Sequence, residues 1–204
     1  MRKYLIGISA AALVALAAGC GGDDAGHDTG SEHGKNTSAP AESGAATEHN
    51  DQDVMFAQMM IPHHQQAVDM STMAAQQAAD AKVKDLAARI KDAQDPEIRQ
   101  MTSMLEAWGE STSTEDMPGM DHGDHGSASG EGMMTPAEMQ RLEKATGAEF
   151  DQMWLQMMIK HHQGALTMAQ AQIEQGSNAD ATTLAKQITD SQQTEIDEMQ
   201  KMLK

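Results

Sequence analysis

One cysteine, two phenylalanines, two tryptophans and one tyrosine are all that 204 residues supply of the side chains that most often staple or fill a small domain. With Cys20 alone, no intrachain disulfide can form, so packing must hold the fold. Positive charge is also scarce: 14 Lys and Arg against 31 Asp and Glu give a net charge of −17. A surface of that sign repels nucleic acid and anionic lipid and draws cations. Strand-like runs are missing, as are a phosphate-cradling glycine loop and an activated Ser or Cys nucleophile, which removes hydrolysis and group transfer from consideration. The longest apolar run, Tyr4 to Ala18, is too short to span a bilayer as a helix.

That run follows Arg2 and Lys3 and ends in Ala17-Ala18-Gly19-Cys20. A charged start, a short apolar stretch and small residues before a cut describe a secretory signal peptide. The only thiol falls where a bacterial lipoprotein carries its acyl chains. Residues 1–19 are therefore expected to be a lipoprotein signal and Cys20 the lipidated N-terminus of an exported protein, anchored on the extracytoplasmic or periplasmic side of the cell membrane. Loss of Arg2 and Lys3 leaves 12 basic residues against 31 acidic ones. Residues 20–50 are Gly, Asp, Ser, Thr, Ala and Glu with hardly an apolar side chain, and read as a flexible tether.

What is abundant is methionine, 19 residues, beside nine histidines. Much of both falls in a duplication. Met59-Met60-Ile61-Pro62-His63-His64-Gln65-Gln66-Ala67 is repeated 98 positions on as Met157-Met158-Ile159-Lys160-His161-His162-Gln163-Gly164-Ala165. Leu86, Ile90, Gln94, Glu97, Ile98, Met101 and Met104 recur at the same offset as Leu184, Ile188, Gln192, Glu195, Ile196, Met199 and Met202. Each copy carries two stripes at helical spacing, with Asp80 or Asn178 between them as an N-cap and Gly176 supporting a helix end. Thr135-Pro136-Ala137-Glu138 is a capping box with Pro at the first helical position, so a short lead-in helix is expected before the second copy. The organisation follows: a helical hairpin over 51–110, a Met/His/Gly-rich linker over 111–134, and a lead-in helix with the second hairpin over 135–204. Two hairpins, each with an apolar face it cannot bury alone, should form an all-α, ferritin-like up-down four-helix bundle.

In an antiparallel pair, residues equally far from the turn lie at equal height. With Asp80 as pivot, His63 and Glu97 are each 17 residues away and Met59 and Met101 each 21, so His63 is expected opposite Glu97 and Met59 opposite Met101. The second copy places His161 opposite Glu195 and Met157 opposite Met199. Each hairpin thus presents a His–Glu layer with a Met–Met layer about 6 Å further from the loop. Charged residues on an apolar stripe need partners, and a satisfied His–Glu pair is the plain alternative to a metal site. Imidazole with thioether is a soft to borderline donor set that suits copper, above all copper(I), while other metals remain open. The candidate ligands are His63, His161, Met59, Met157, Glu97, Glu195, Met101 and Met199, with Met60, Met158, His64 and His162 as neighbours that could complete the set. Pro62 and Pro96 stand before His63 and Glu97 in the first copy only, and could kink its helices.

The linker adds Met117, Met120, His122 and His125 among acidic residues, then Met133-Met134, a tract whose composition suits auxiliary metal capture.

Leu142, Ala145, Gly147, Phe150-Asp151, Met157-Met158-Ile159, His161-His162, Ala165 and Met168-Ala169 resemble the bacterial exported family called domain of unknown function 305, and Asp53 to Trp108 fits the same pattern. The resemblance implies a ferritin-like four-helix domain, and it implies copper, since some members are periplasmic copper-binding proteins linked to copper resistance. Pro62 where Lys160 stands, and Gln66 where Gly164 stands, are departures between the copies. The expected function is sequestration or buffering of copper, without turnover. A di-metal oxidase of ferritin type is the competing reading, disfavoured because such centres use Glu-x-x-His and here Met60 and Met158 occupy the Glu position. A metal-free envelope interaction module is the third.

Overall fold

The computed structural model describes residues 47–113 and 130–204. The expected signal peptide, Cys20, His27, His33 and the Met117, Met120, His122 and His125 tract lie outside the described residues. The described residues form five helices: α1 (Asp51–Gln77), α2 (Ala81–Trp108), α3 (Pro136–Lys144), α4 (Gly147–Gln175) and α5 (Ala179–Met202). Among the described residues no helix is long and apolar enough to cross a membrane.

The helix ends are set by local chemistry. Asn50 and Asp53 form a reciprocal capping box at the start of α1, and Thr135 and Glu138 form another at the start of α3. Asp80 caps α2 by accepting from Lys82 N at 2.9 Å; Asn178 caps α5 by accepting from Asp180 N and Ala181 N. Gly109 closes α2 in the left-handed conformation, φ 77°. Gly176 caps the end of α4 as expected, but in an extended conformation, φ −69°, so its lack of a side chain serves space instead. A Cβ there would collide with the Gln172 amide and the Asp53 carboxylate. Pro62 and Pro96 lie on exposed faces, and α1 and α2 run on as helix through both.

α1 packs along α2 and α4 along α5; α1 and α4 join the hairpins, while α2 and α5 approach one another only locally. α1 and α4 are antiparallel. His63 meets His161 with ring centroids 3.7 Å apart, and Trp154 Nε1, seven residues before His161, donates to the carbonyl of Met70, seven after His63, at 3.0 Å. In chain order the four long helices therefore run up, down, down, up, which requires the long connection between α2 and α4 and is the ferritin-like arrangement. α3 lies in that connection.

Two apolar clusters fill the bundle. One gathers Ala67, Met70, Leu86, Ile90, Trp154, Leu155, Met158, Ile196 and Met199; the other gathers Phe56, Met60, Met101, Leu105, Ala165, Leu184 and Ile188. Each draws on both repeats, because the hairpins interlock end for end. Between them lies a buried polar layer.

Candidate metal centre

Consecutive residues on a helix point about 100° apart. Each His-His dipeptide consequently serves two interfaces. His63 and His161 turn toward each other across α1 and α4. His64 and His162 turn into their own hairpins, where His64 Nε2 meets Glu97 Oε2 at 2.9 Å and His162 Nε2 meets Glu195 Oε2 at 2.8 Å. This corrects the sequence expectation that paired Glu97 with His63 and Glu195 with His161. The height of the layer was right to within one residue, about 1.5 Å, but one residue is also 100° of azimuth. The same shift separates the methionines. Met60 and Met158 are fully buried, as are Met101 and Met199, whereas Met59 and Met157 are only half-buried.

The four imidazoles are enclosed: His64, His161 and His162 are 0% exposed and His63 is 1%. Among the described residues, Nδ1 of His63, His64 and His162 and both nitrogens of His161 have no hydrogen-bond partner. Burial pushes the His63 imidazolium down to a pKa of about 3, with the neighbouring His64 lowering it further and the Glu131 carbonyl partly opposing. His161 is held well below its usual value by burial and then by His63, His162 and His64. These two rings are neutral near pH 7, with lone pairs turned into the protein interior.

Hydrogen bonding selects which nitrogen is free. A carboxylate or carbonyl oxygen accepts, so Nε2 carries hydrogen in His64 and His162 facing Glu97 and Glu195, and in His63 facing the Glu131 carbonyl at 3.2 Å. In the neutral ring the lone pair then sits on Nδ1. A carboxylate behind one imidazole nitrogen orients the ring and raises its basicity at the other, the usual support for a metal-bound histidine. Glu97 and Glu195 stand behind the Nε2 atoms of His64 and His162 in this way.

Among the described residues no three His, Cys, Asp or Glu side chains converge closely enough to hold a metal ion by themselves. The thioethers buried in the apolar clusters on either side of this layer are those of Met60, Met101, Met158 and Met199. The neutral imidazoles of His63 and His161, with buried thioethers in the clusters above and below, fit a soft cation, since neither ring has to lose a proton to bind it.

Two features were missed from the sequence. Gln94 and Gln192, each 2% exposed, have amides without a partner among the described residues; their recurrence at buried stripe positions was the available signal. The second is the segment Gly130 to Met134, which crosses the α1–α4 groove beside His63. Irregular chain has no periodicity to reveal it. His49, in the expected tether, stacks on Trp108 at 4.8 Å, away from the layer.

The bundle, the duplicated His-His helices and the methionine flanks define a family, and comparison with known proteins agrees. The model of the family Domain of unknown function (DUF305) matches residues 53–203, and the chain belongs to that family. A DUF305 protein from Streptomyces coelicolor is 32% identical with a TM-score of 0.67, covering 74% of this chain and 91% of that one. A DUF305 fragment from Deinococcus radiodurans is 30% identical, TM-score 0.66, covering 76% and 96%. CopM in its Cu(II)-bound form is 31% identical, TM-score 0.62, covering 74% and 95%; CopM is also similar in Cu(I)-bound and Ag-bound forms. No curated protein matches the chain.

Proposed function

We propose that this protein binds copper, as copper(I), in the histidine–methionine layer between its two hairpins, and that it sequesters or buffers the ion outside the cytoplasm. The observation that carries the reading is His161, fully buried, with at most the His63 backbone to partner its two ring nitrogens among the described residues and the neutral His63 imidazole packed against it at a 40° tilt. A buried, unsatisfied polar atom costs about 1–3 kcal/mol, so a protein retains two such rings on its symmetry axis for a reason other than stability. The similar CopM structures with Cu(I), Cu(II) and Ag support a soft cation as that reason. His63, His161 and the Nδ1 atoms of His64 and His162 would supply imidazole donors, Met60, Met101, Met158 and Met199 thioethers, with Met59 and Met157 at the edge of the layer. The negative surface attracts cations, and the lipoprotein-like start of the sequence supports an extracytoplasmic, membrane-anchored setting.

No turnover is proposed. A carboxylate-bridged oxidase centre is disfavoured because the two glutamates of the layer are each engaged by a histidine of their own hairpin. The test is titration of the full chain carrying Cys20→Ser with copper(I), silver(I), copper(II), zinc(II) and iron(II), with bound metal counted. Tight binding of copper(I) and silver(I), with zinc(II) and iron(II) weak, is expected. No retention of either monovalent ion would overturn the reading.

A further inference from the structure

The two repeats are built alike, yet one segment of chain makes their histidines unequal. Gly130 to Met134 lies across the α1–α4 groove and is gripped from both sides at equivalent repeat positions, 66 and 164. On α1, the Gln66 side chain holds one residue of the segment by both its polar groups: Met134 N donates to Oε1 at 2.7 Å, and Nε2 donates to the Met134 carbonyl at 2.9 Å. On α4, Gly164 leaves the opening that the segment fills, since a Cβ there would collide with the Glu131 carbonyl and the Gly132 Cα. Gly132 itself has φ +85°, and a Cβ on it would stand 2.8 Å from the Lys160 carbonyl oxygen. The departure of Gln66 from Gly164 between the two copies thereby has a structural cause: a single segment lying between them needs a clamp on one side and a gap on the other. Its product is the Glu131 carbonyl, aimed at His63 Nε2 at 3.2 Å. His161, the repeat partner of His63, receives no bond from the segment; the backbone near its ring is that of His63.

We infer that Gln66 and Gly164 are positioning residues that hold the Gly130–Met134 segment so that its Glu131 carbonyl fixes His63 in the Nε2–H tautomer, committing that ring to donate through Nδ1, a constraint the segment does not place on His161. The consequence for metal affinity rests on the proposed copper site; the tautomer does not. The segment thus converts a duplicated, symmetric scaffold into a centre in which only one of the two facing imidazoles is prearranged by it.

The experiment is a long-range proton–nitrogen correlation spectrum at pH 7 of the nitrogen-15-labelled, metal-free Cys20→Ser full chain, with ring signals assigned by single His→Gln substitutions. His63 is expected almost wholly as the Nε2–H form. Gln66→Ala and Gly164→Ala should move it toward a mixture and leave His64 and His162, held by Glu97 and Glu195, unchanged. A role in stability alone would lower the melting temperature of both variants without altering the His63 tautomer. Should Gly164→Ala fail to fold, Gln66→Ala, which only removes atoms, carries the test. Silver(I) affinity of Gln66→Ala should fall by about tenfold, the lower end of the range for second-shell partners. A His63 ring in the Nδ1–H form in the parent, or one unmoved in a folded Gln66→Ala variant, would overturn the inference. Absence of silver binding in the parent would instead defeat the copper reading and leave the tautomer result standing.

Discussion

Asp53 and Asp151 occupy the same position in the two repeats, and each carboxylate reaches across to cap the hairpin turn of the other copy. Asp151 accepts from Ala79 N at 3.0 Å and Asp80 N at 2.9 Å, where α1 gives way to α2. Asp53 accepts from Ser177 N at 3.1 Å and Asn178 N at 3.0 Å, where α4 gives way to α5. The hairpins are thus fastened at both ends of the bundle by the same exchange, and the histidine layer lies between the two fastenings.

Replacing Asp53 by Ala should be among the most damaging single changes. It would leave the buried Asn178 N–H and the Gln172 amide unpaired and remove the bonds to exposed Ser177, a loss of about 2–4 kcal/mol. Chemical denaturation of the variant checks this; a change within about 0.5 kcal/mol of the parent would show that the fastening contributes little.

Acid stability should have two stages with different owners. The folded values of His63 and His161 lie below the ordinary 6.5, so between that value and about 3 the unfolded chain binds protons that the folded His63 refuses. Stability from these rings is present above pH 6.5 and is lost as pH falls, by about 1.4 kcal/mol per pH unit for each ring. Asp53 acts lower: although desolvation would raise it, hydrogen bonds from Gln172, Asn50 and Ser177 hold it below 3.8. Its contribution is full above 3.8 and is lost as pH falls further. Equilibrium unfolding of the metal-free protein between pH 7 and 4 should show the histidine slope, and substituting His63 and His161 should flatten it. A parent whose stability is level from pH 7 to 4.5 would contradict the burial of neutral rings.

The fold was largely legible in the sequence. A gap-free repeat, helical stripes, and capping residues at Asp80, Asn178 and Thr135 all act over short stretches of chain. The site was legible in height but not in direction. Counting from Asp80 located the layer, yet whether His63 or His64 faces Glu97 depends on how the helices are rotated, and only the α1–α4 interface fixes that. Gly164 and Gly176 could be noticed but not explained, since the atoms that would strike a Cβ come from Glu131 and Gly132 at the first, and at the second from the Gln172 side chain that Asp53 on α1 holds in place.

Glu97→Ala and Glu195→Ala should each weaken soft-metal binding by about 10–100-fold, because the carboxylate orients the ring and tunes the donor at the opposite nitrogen. Glu→Gln, which keeps an acceptor, should lose less. Silver(I) competition titrations on folded variants check the order, and equal affinities across parent, Gln and Ala forms would show that the pairs are only structural.

Cys20→Ser should move the protein from the membrane fraction to the soluble fraction in a host that lipidates it, without loss of helix. A parent already soluble in such a host would end the lipid-anchor reading.

The most direct test of the central claim compares the Cys20→Ser protein with the same protein carrying His63→Ala and His161→Ala, each melted with and without copper(I) or silver(I), after dichroism confirms that both are folded. Binding to the folded state raises stability by about 2.7 kcal/mol at a hundredfold excess over Kd. For a chain of this size that is a shift of roughly 5–10 °C in Tm. The parent should show that rise and the double variant should not. Equal metal-induced rises in the two proteins would contradict a site in the histidine layer.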